Sequence, residues 1–481
     1  MQNKFYITTP IYYVNAKPHI GHAYTTIAAD VLARFQKLQG KEVFFLTGTD
    51  EHGLKIQKQA EKEGKDPQQF VDDVSVGFKM LWKDLNIDYT NFIRTTDENH
   101  IKAVQKVLQT LKNKGAIYKG TYSGLYCVGC EQFKSENELI DGKCPDHNLV
   151  PEKMEEECWL LNLSGVQDKL IEKIESDEFE IAPARYKNEI LSFLKNQPLK
   201  DVSISRKNVK WGIPLPFEPE QTTYVWIDAF LNYLTGLGWD GDENNLPEKW
   251  PVDVQLIGKD ILRVHATIWP AILLNLGIEK LPKLLFTHGH ILSGGKKMSK
   301  TLGNVIGIDE MIEKFGVDGT RYLLLSAGPF GYDIDVTMER MIEKYNADLA
   351  NGLGNLVSRI IKLSEDAEIK FEKINFNKAI EKKIEKNNSY FLKGIMESVA
   401  INLGLEHVWV IIEEDNKFIN DTKPWELKRT DEGKFKEVMS KLLSDLNLIS
   451  EFLAPFMPET AEKIKTALET KKAGILFQRI R

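Results

Sequence analysis

Short apolar or β-branched runs alternate with helical stretches through the first 115 residues. That alternation allows little besides a parallel sheet covered on both faces. Phe5-Tyr6-Ile7-Thr8-Thr9 reads as the first strand. Tyr24, Ile27, Ala28, Val31, Leu32, Phe35 and Leu38 then repeat at helical spacing until Gly40 ends the run. Val43-Phe44-Phe45-Leu46 is apolar throughout, as a strand buried on both faces requires. Phe92-Ile93-Arg94-Thr95 reads as a third strand, and a helix follows from about Glu98 to Lys112.

Between the first strand and the first helix stands Pro18-His19-Ile20-Gly21-His22. A helix start offers free N–H groups and a partial positive charge, which is a phosphate site in outline. Gly21 lets a nucleotide approach the backbone, and His19 and His22 share one side of the first turn. The second strand ends in Thr47-Gly48-Thr49-Asp50-Glu51-His52-Gly53. Polar residues and glycines at a strand's carboxyl end mark the ligand edge of a doubly wound sheet. Asp50 there either takes an ammonium group or caps the next helix, and His52 and Gly53 can line a nucleotide.

The four cysteines are too few for a disulfide scaffold in a chain of 481 residues. Cys127-Val128-Gly129-Cys130 and Cys144-Pro145-Asp146-His147 instead have the spacing of a closed, tetrahedral structural zinc site. Four protein ligands would leave no position for substrate. Cys158 reads as a buried thiol.

Further on, Pro183 to Lys195 is an amphipathic helix. Thr222-Thr223-Tyr224-Val225-Trp226 reads as a strand running into a helix near Asp228. Trp226, Ala229 and Tyr233 then share a face, as core or as one wall of a pocket for an apolar side chain. Val252 to Ile257 is an apolar strand ending in Gly258-Lys259-Asp260, with His265 one turn into the next helix. Leu284-Leu285-Phe286 leads to Thr287-His288-Gly289-His290 and to a glycine-flanked, lysine-rich loop, Ser293 to Thr301. Such a loop is a solvated basic turn unless a phosphate lies beneath it; the His-x-Gly-His in the same chain favours the phosphate. From Met338 on, Tyr345, Leu349, Leu353, Leu356, Val357, Ile360 and Ile361 keep helical spacing, and more helices run through Lys378–Asp415 and Lys434–Leu453.

His19-Ile20-Gly21-His22 and Lys297-Met298-Ser299-Lys300-Thr301 together resemble the class I aminoacyl-tRNA synthetases, and among them the methionyl-tRNA synthetase family. Pro10 to Asn15, Gly48 to Gly53, Tyr224 to Ala229 and Gly258 to Ile261 match as well. Thr301 stands where the family usually has serine and keeps the hydroxyl. The resemblance implies an α/β fold with a Rossmann-type parallel sheet, a connective insertion carrying a zinc knuckle, and an all-α anticodon-binding bundle. The segments would be 1–115 and 222–290 for the two halves of the catalytic domain, 116–221 for the insertion, 291–345 for the lysine loop and stem-contact segment, and 346–481 for the bundle.

The implied reaction activates L-methionine with ATP to methionyl-adenylate and pyrophosphate, then transfers it to tRNA. His19, His22, Lys297 and Lys300 would serve the chemistry. Tyr12, Gly21, Gly258, Asp260, His288 and Met298 would join them around ATP and its Mg2+. Pro10, Ile11, Tyr13, Asp50, Trp226, Ala229, Tyr233, Ile261 and His265 would hold methionine, with Asp50 on its ammonium. Asn355, Arg359 and Trp425 would read the CAU anticodon of tRNA(Met). Cys127, Cys130, Cys144 and His147 would bind one structural Zn2+. The runner-up is a cysteinyl enzyme, which needs an open zinc position. A different class, a small-molecule nucleotidyltransferase, would not need the bundle or Trp425.

Net charge is −7, which neither requires nor excludes nucleic acid. No apolar run reaches the roughly 18 residues of a membrane span, and Met1-Gln2-Asn3-Lys4 lacks the core of a signal peptide. A cytoplasmic protein is therefore expected, with no membrane partner. The sequence stops soon after Ile475-Leu476-Phe477, without the dimer-forming domain of many relatives, and a monomer is expected.

Overall fold

The structure is a computed structural model describing residues 3–15, 17–129, 132–134, 139–145, 148–207, 209–298, 304–379 and 396–481. Six strands form one sheet: β1 (Lys4–Tyr13), β2 (Glu42–Asp50), β3 (Asn91–Arg94), β4 (Glu180–Ala182), β5 (Val254–Gly258) and β6 (Leu284–His288). Their order is β3-β2-β1-β5-β6-β4, and every pairing is parallel. β2 and β3 build outward from one side of β1, while β5 and β6 build outward from the other. Ligands of open α/β sheets bind outside the strands' carboxyl ends at such a reversal. Pro10 lacks an N–H, and the β1–β2 register shifts between Thr8 and Ile11, just before the residues that reach this edge.

Helices cover both faces. α1 (Ile20–Leu38) and α2 (Pro67–Asp84) share one core with the helical C-terminal region. α3 (Glu98–Asn113), α4 (Val225–Phe230) and α5 (Leu262–Leu276) pack on the other face with the connective module. That module is built on the antiparallel pair Ile117–Cys127 and Glu152–Leu161.

Two sequence expectations change here. Glu180–Ala182, inside the span read as insertion, returns to the parallel sheet as β4. Val225 and Trp226 open helix α4 instead of ending a strand, which covers only Glu218–Thr223. Their β-favouring side chains yield to packing beneath α5.

The C-terminal region is helical: α6 (Ile308–Leu325), bent at Gly316, then α7 (Asn355–Ser364), α8 (Ile401–Thr422), α9 (Glu432–Leu453) and α10 (Pro458–Thr470). Of the helices expected through Lys378–Asp415, α8 supplies the part from Ile401, residues 376–379 and 396–397 are helical as well, and residues 380–395 lie outside the described residues. Among the described residues no helix is long and apolar enough to cross a membrane.

A buried guanidinium joins this region to the sheet. Arg321 of α6 has no solvent exposure. It donates to Asp30 Oδ2 of α1 at 2.7 Å, to Leu85 O at 3.2 Å, and to Pro455 O and Phe456 O at 3.1 and 2.8 Å. Asp30 is equally buried and also accepts from Arg34 Nε and the Asp88 amide, both at 2.8 Å. Every charge in the cluster is paired, as burial of ions requires.

Candidate active site

His19 is the N-cap of α1 and His22 stands in its first turn. Their rings stack at 3.7 Å between centroids, 22° apart. The Gly21 amide donates to His19 Nδ1 at 3.1 Å, and the His19 amide donates to His22 Nδ1 at 3.3 Å. The free amides expected at this helix start are thus partly consumed by the imidazoles themselves. The gain is a fixed tautomer: each Nδ1 accepts, so each neutral ring carries its proton on Nε2. Desolvation lowers the His19 pKa, offset in part by Asp260, although the residue as a whole is exposed. Burial, then the neighbouring His19, pushes His22 well below the ordinary range. Two neutral Nε2–H donors therefore stand at the helix start. A Cβ at Gly21 would lie 3.0 Å from His19 Cε1, so the glycine leaves room for that ring.

Tyr12 lies beneath the pair, its ring 4.7 Å from His22 and its hydroxyl 2.6 Å from Thr26 Oγ1. His288, at the end of β6, is tied to the same helix. Its Nδ1 donates to Gly289 O at 2.8 Å, so its Nε2 accepts from Thr25 Oγ1 at 2.6 Å. This Thr25 contact was not legible from sequence; it links the histidine motif to the strand that launches the lysine loop. Beyond β6, Ile291–Ser293 and Lys296–Lys297 form a hairpin across Gly294 and Gly295, whose φ values of 62° and 73° suit the mirror-image tight turn. Asp335 Oδ1 accepts from the Gly295 amide at 3.0 Å. Lys297 closes the hairpin and Met298 packs on the core, while Lys300 and Thr301 lie outside the described residues. Gly258 ends β5, followed by Lys259, whose Nζ lies 2.7 Å from both carboxylate oxygens of Asp333, and by Asp260.

The residues expected around an amino acid gather beside this edge. Pro10, Ile11 and Tyr13 come from β1, Asp50 from the end of β2, and Ile261 and His265 from the start of α5. Trp226, Ala229 and Tyr233 come from α4 and the turn of helix after it. Trp226 stacks on Phe230 at 5.5 Å, and Phe230 meets the His265 ring edge-on at 4.9 Å. Phe230 in turn stacks on Trp269 at 6.0 Å, and neither was singled out from the sequence. His265 Nδ1 donates to Ile261 O at 2.9 Å, and its Nε2 lies 2.9 Å from the Tyr233 hydroxyl. Burial lowers the His265 pKa to about 4.

A stability prediction follows from that burial. Between about pH 6.5 and 4 the unfolded chain holds a proton that folded His265 refuses, so stability should fall with acidification by about 3 kcal/mol across the window. Urea unfolding near pH 7 and pH 4.5 checks it. The decrement should shrink in His265→Gln; an equal decrement in wild type and variant would contradict it.

His52 does not line an open nucleotide site. It is buried, and its Nδ1 lies 2.7 Å from Asp228 Oδ2; Asp228 Oδ1 in turn lies 2.7 Å from His100 Nε2. Burial opposes ionisation of Asp228, yet the two histidines hold its carboxyl below the usual range. Glu51 is buried too and takes both prongs of Arg94 at 2.7 and 2.8 Å. Trp211 Nε1 donates to Glu51 O at 2.6 Å, so the connective module braces the loop that presents Asp50.

In the helical region, Asn355 and Arg359 stand one turn apart on α7. Arg359 lies over the half-exposed Trp425 ring at 5.6 Å and donates to Asn420 Oδ1 at 3.0 Å. Asn420 was not singled out from sequence. In the connective module Cys127 and Cys144 are fully buried, while Cys130 and His147 lie outside the described residues.

The parallel sheet, the imidazole pair at its reversal and the helical region behind it define an α/β nucleotide-binding enzyme. Two family models match nearly the whole chain. One, tRNA synthetases class I (M), covers residues 5–150 and 147–361, and the other, the anticodon binding domain of methionyl tRNA ligase, covers residues 365–477. A methionine–tRNA ligase of Clostridium acetobutylicum is 44% identical, over 97% of this chain and 73% of that one. One from Rickettsia typhi is 41% identical, over 100% of this chain and 96% of the other. Among solved structures, Mycobacterium tuberculosis methionyl-tRNA synthetase in complex with methionyl-adenylate superposes with a TM-score of 0.89 at 36% identity, covering 96% of this chain and 93% of that one. The chain belongs to the methionyl-tRNA synthetases of class I.

Proposed function

We propose that the carboxyl edge between β1 and β5 activates methionine with ATP, using this chain's own imidazoles as neutral donors. The activity is that of the family: methionine and ATP give methionyl-adenylate and pyrophosphate, and the methionyl group then passes to tRNA. The methionine carboxylate attacks the α-phosphorus in line, and negative charge builds on the non-bridging oxygens. The observation that carries this reading is the fixed Nδ1-acceptor state of His19 and His22. It leaves two Nε2–H groups at a helix start, where donors need no reorganisation as the charge develops. Lys297 and Lys300 cover the departing pyrophosphate, and Mg2+ accompanies ATP to neutralise its phosphates. Gly258, Asp260, His288 and Met298 frame the nucleotide, while Tyr12 supports His22 from below.

Asp50 takes the methionine ammonium. Trp226, Ala229, Tyr233 and His265, with Ile11, Tyr13 and Ile261, surround a thioether that aromatic rings favour. The reading is tested by pyrophosphate exchange across a panel of amino acids. Exchange that depends on methionine supports it; exchange that depends on cysteine overturns it.

At the other end, Arg359 and Trp425, with Asn355 beside them, form a stacking and hydrogen-bonding surface suited to single-stranded bases. We assign the CAU anticodon to it. Zinc belongs to the same proposal. Cys127 and Cys144 are buried in the connective module, and the Asn148 amide donates to Cys144 O at 2.8 Å, closing a tight turn after Cys144. With Cys130 and His147 they would make a closed tetrahedral set. One zinc per chain is expected by elemental analysis, and Cys127→Ala should lose it together with several degrees of thermal stability. A zinc-free wild type of equal stability would contradict it.

A further inference from the structure

β4 and β6 lie side by side in the sheet, and the segments that leave their carboxyl ends meet again. After β4 comes Pro183 and then the helix Ala184–Asn196, with Arg185 exposed in its first turn. After β6 comes Gly289, which runs so close to a later loop that a Cβ there would strike the Tyr332–Asp333 peptide. Asp333 pins the same loop, its Oδ1 accepting from the His290 amide at 2.8 Å. Arg185 and Tyr332 thus share the ligand edge of the sheet. They stand on its β4 side, two strand spacings or about 10 Å outward from β5. The imidazole pair is at the β1–β5 reversal, so these two residues flank the reaction centre without entering it.

The Tyr332 residue is 50% exposed although its backbone is pinned. The Arg185 guanidinium lies over the Tyr332 ring at 3.9 Å and over the Tyr186 ring at 4.5 Å. Its Nη2 donates to the Tyr186 hydroxyl at 3.0 Å and to Gly331 O. Among the described residues its Nε and Nη1 donate to nothing, and no carboxylate pairs with it. A guanidinium has five N–H donors, so three remain open. An exposed aromatic face takes a base by stacking, and an open guanidinium edge takes a phosphate. Together, on one platform fixed from both strands, they match one nucleotide of a single strand. The polymer that must reach this edge is tRNA, whose acceptor end is unpaired.

We infer that Arg185 and Tyr332 form a subsite for an unpaired nucleotide of the tRNA acceptor end, its base on Tyr332 and a phosphate on Arg185. The inference rests on the reading of this edge as the adenylate site. It separates the two half-reactions: the first needs only methionine and ATP, so the platform serves the second alone.

Tyr332→Ala and Arg185→Met are compared with wild type in methionine-dependent pyrophosphate exchange and in tRNA aminoacylation. Exchange should stay within about twofold of wild type in both, because neither residue touches the adenylate. In Tyr332→Ala, kcat/KM for tRNA should fall about tenfold, the scale of one lost base stack, and Tyr332→Trp should restore it. Arg185→Met should lower it too and reduce its salt dependence by about one phosphate contact. A tRNA trimmed of its unpaired 3′ nucleotides localises the effect. Trimming should weaken binding to wild type and change binding to Tyr332→Ala by less than about twofold. An unchanged kcat/KM for tRNA in Tyr332→Ala, an equal loss in exchange and aminoacylation, or an equal trimming penalty in wild type and variant overturns the proposal. If Tyr332→Ala does not fold, Tyr332→Leu lacks the stacking face too and carries the same expectations. A wild type without methionine-dependent exchange would instead overturn the reading of the adenylate site.

Discussion

Replacing His22 with alanine is expected to slow methionine-dependent pyrophosphate exchange about 10²- to 10³-fold, the usual cost of one preorganised oxyanion donor. The effect should fall on kcat more than on KM, because the charge it meets develops in the transition state. His22 does more than donate. Its Nδ1 receives the His19 amide, and its ring is the surface on which His19 stacks. Losing it frees the His19 ring to turn, so the double variant His19→Ala/His22→Ala should be little worse than His22→Ala alone. Burial lowers the His19 pKa from its ordinary value and pushes that of His22 well below it. Both rings therefore stay neutral as pH falls through about 6.5, and the exchange rate should show no histidine step there. A step at that pH, lost in His22→Ala, would mean that a charged imidazole carries the reaction.

Arg321→Met should cost about 3–5 kcal/mol of stability, the range for breaking a buried ion pair from one side. The reason is the company Arg321 keeps. Without it, Asp30 remains buried in α1 with Arg34 and one amide for partners, and the carbonyls of Leu85, Pro455 and Phe456 lose their donor. Asp30→Asn should be costly as well, since it strands the guanidinium. Urea unfolding gives the magnitude. Asp30 sits in the helix that carries His19 and His22, so the surviving folded protein should also exchange more slowly. A loss below about 1 kcal/mol, the level of an exposed pair, would show that solvent reaches the cluster.

Much of the parallel sheet could be read in advance because its strands are buried on both faces. Val43 to Leu46 announces itself by unbroken apolarity, and Val252 to Ile257 by four apolar residues of six. Glu180-Ile181-Ala182 does not: three residues are too few to hold a periodicity, and pairing with β6 makes them a strand. Val225 and Trp226 misled in the other direction, since local β preference lost to packing under α5. The histidine pair at a helix start was legible in the sequence, but the closeness of Gly21 to the His19 ring was not. Only the folded ring of His19 shows what a Cβ would strike. Asp228, His52 and His100 were invisible as a unit, because the pairs are 176 and 128 residues apart in sequence.

The account stands on one site at the reversal of the sheet, where imidazole donors and a thioether pocket meet on the same adenylate. Amino-acid-dependent pyrophosphate exchange, run in parallel on wild type and His22→Ala, tests that most directly. The expected result is exchange stimulated by methionine and not by cysteine, with the variant slower by at least about 10². Exchange that responds to another amino acid, or a variant as fast as wild type, would contradict it.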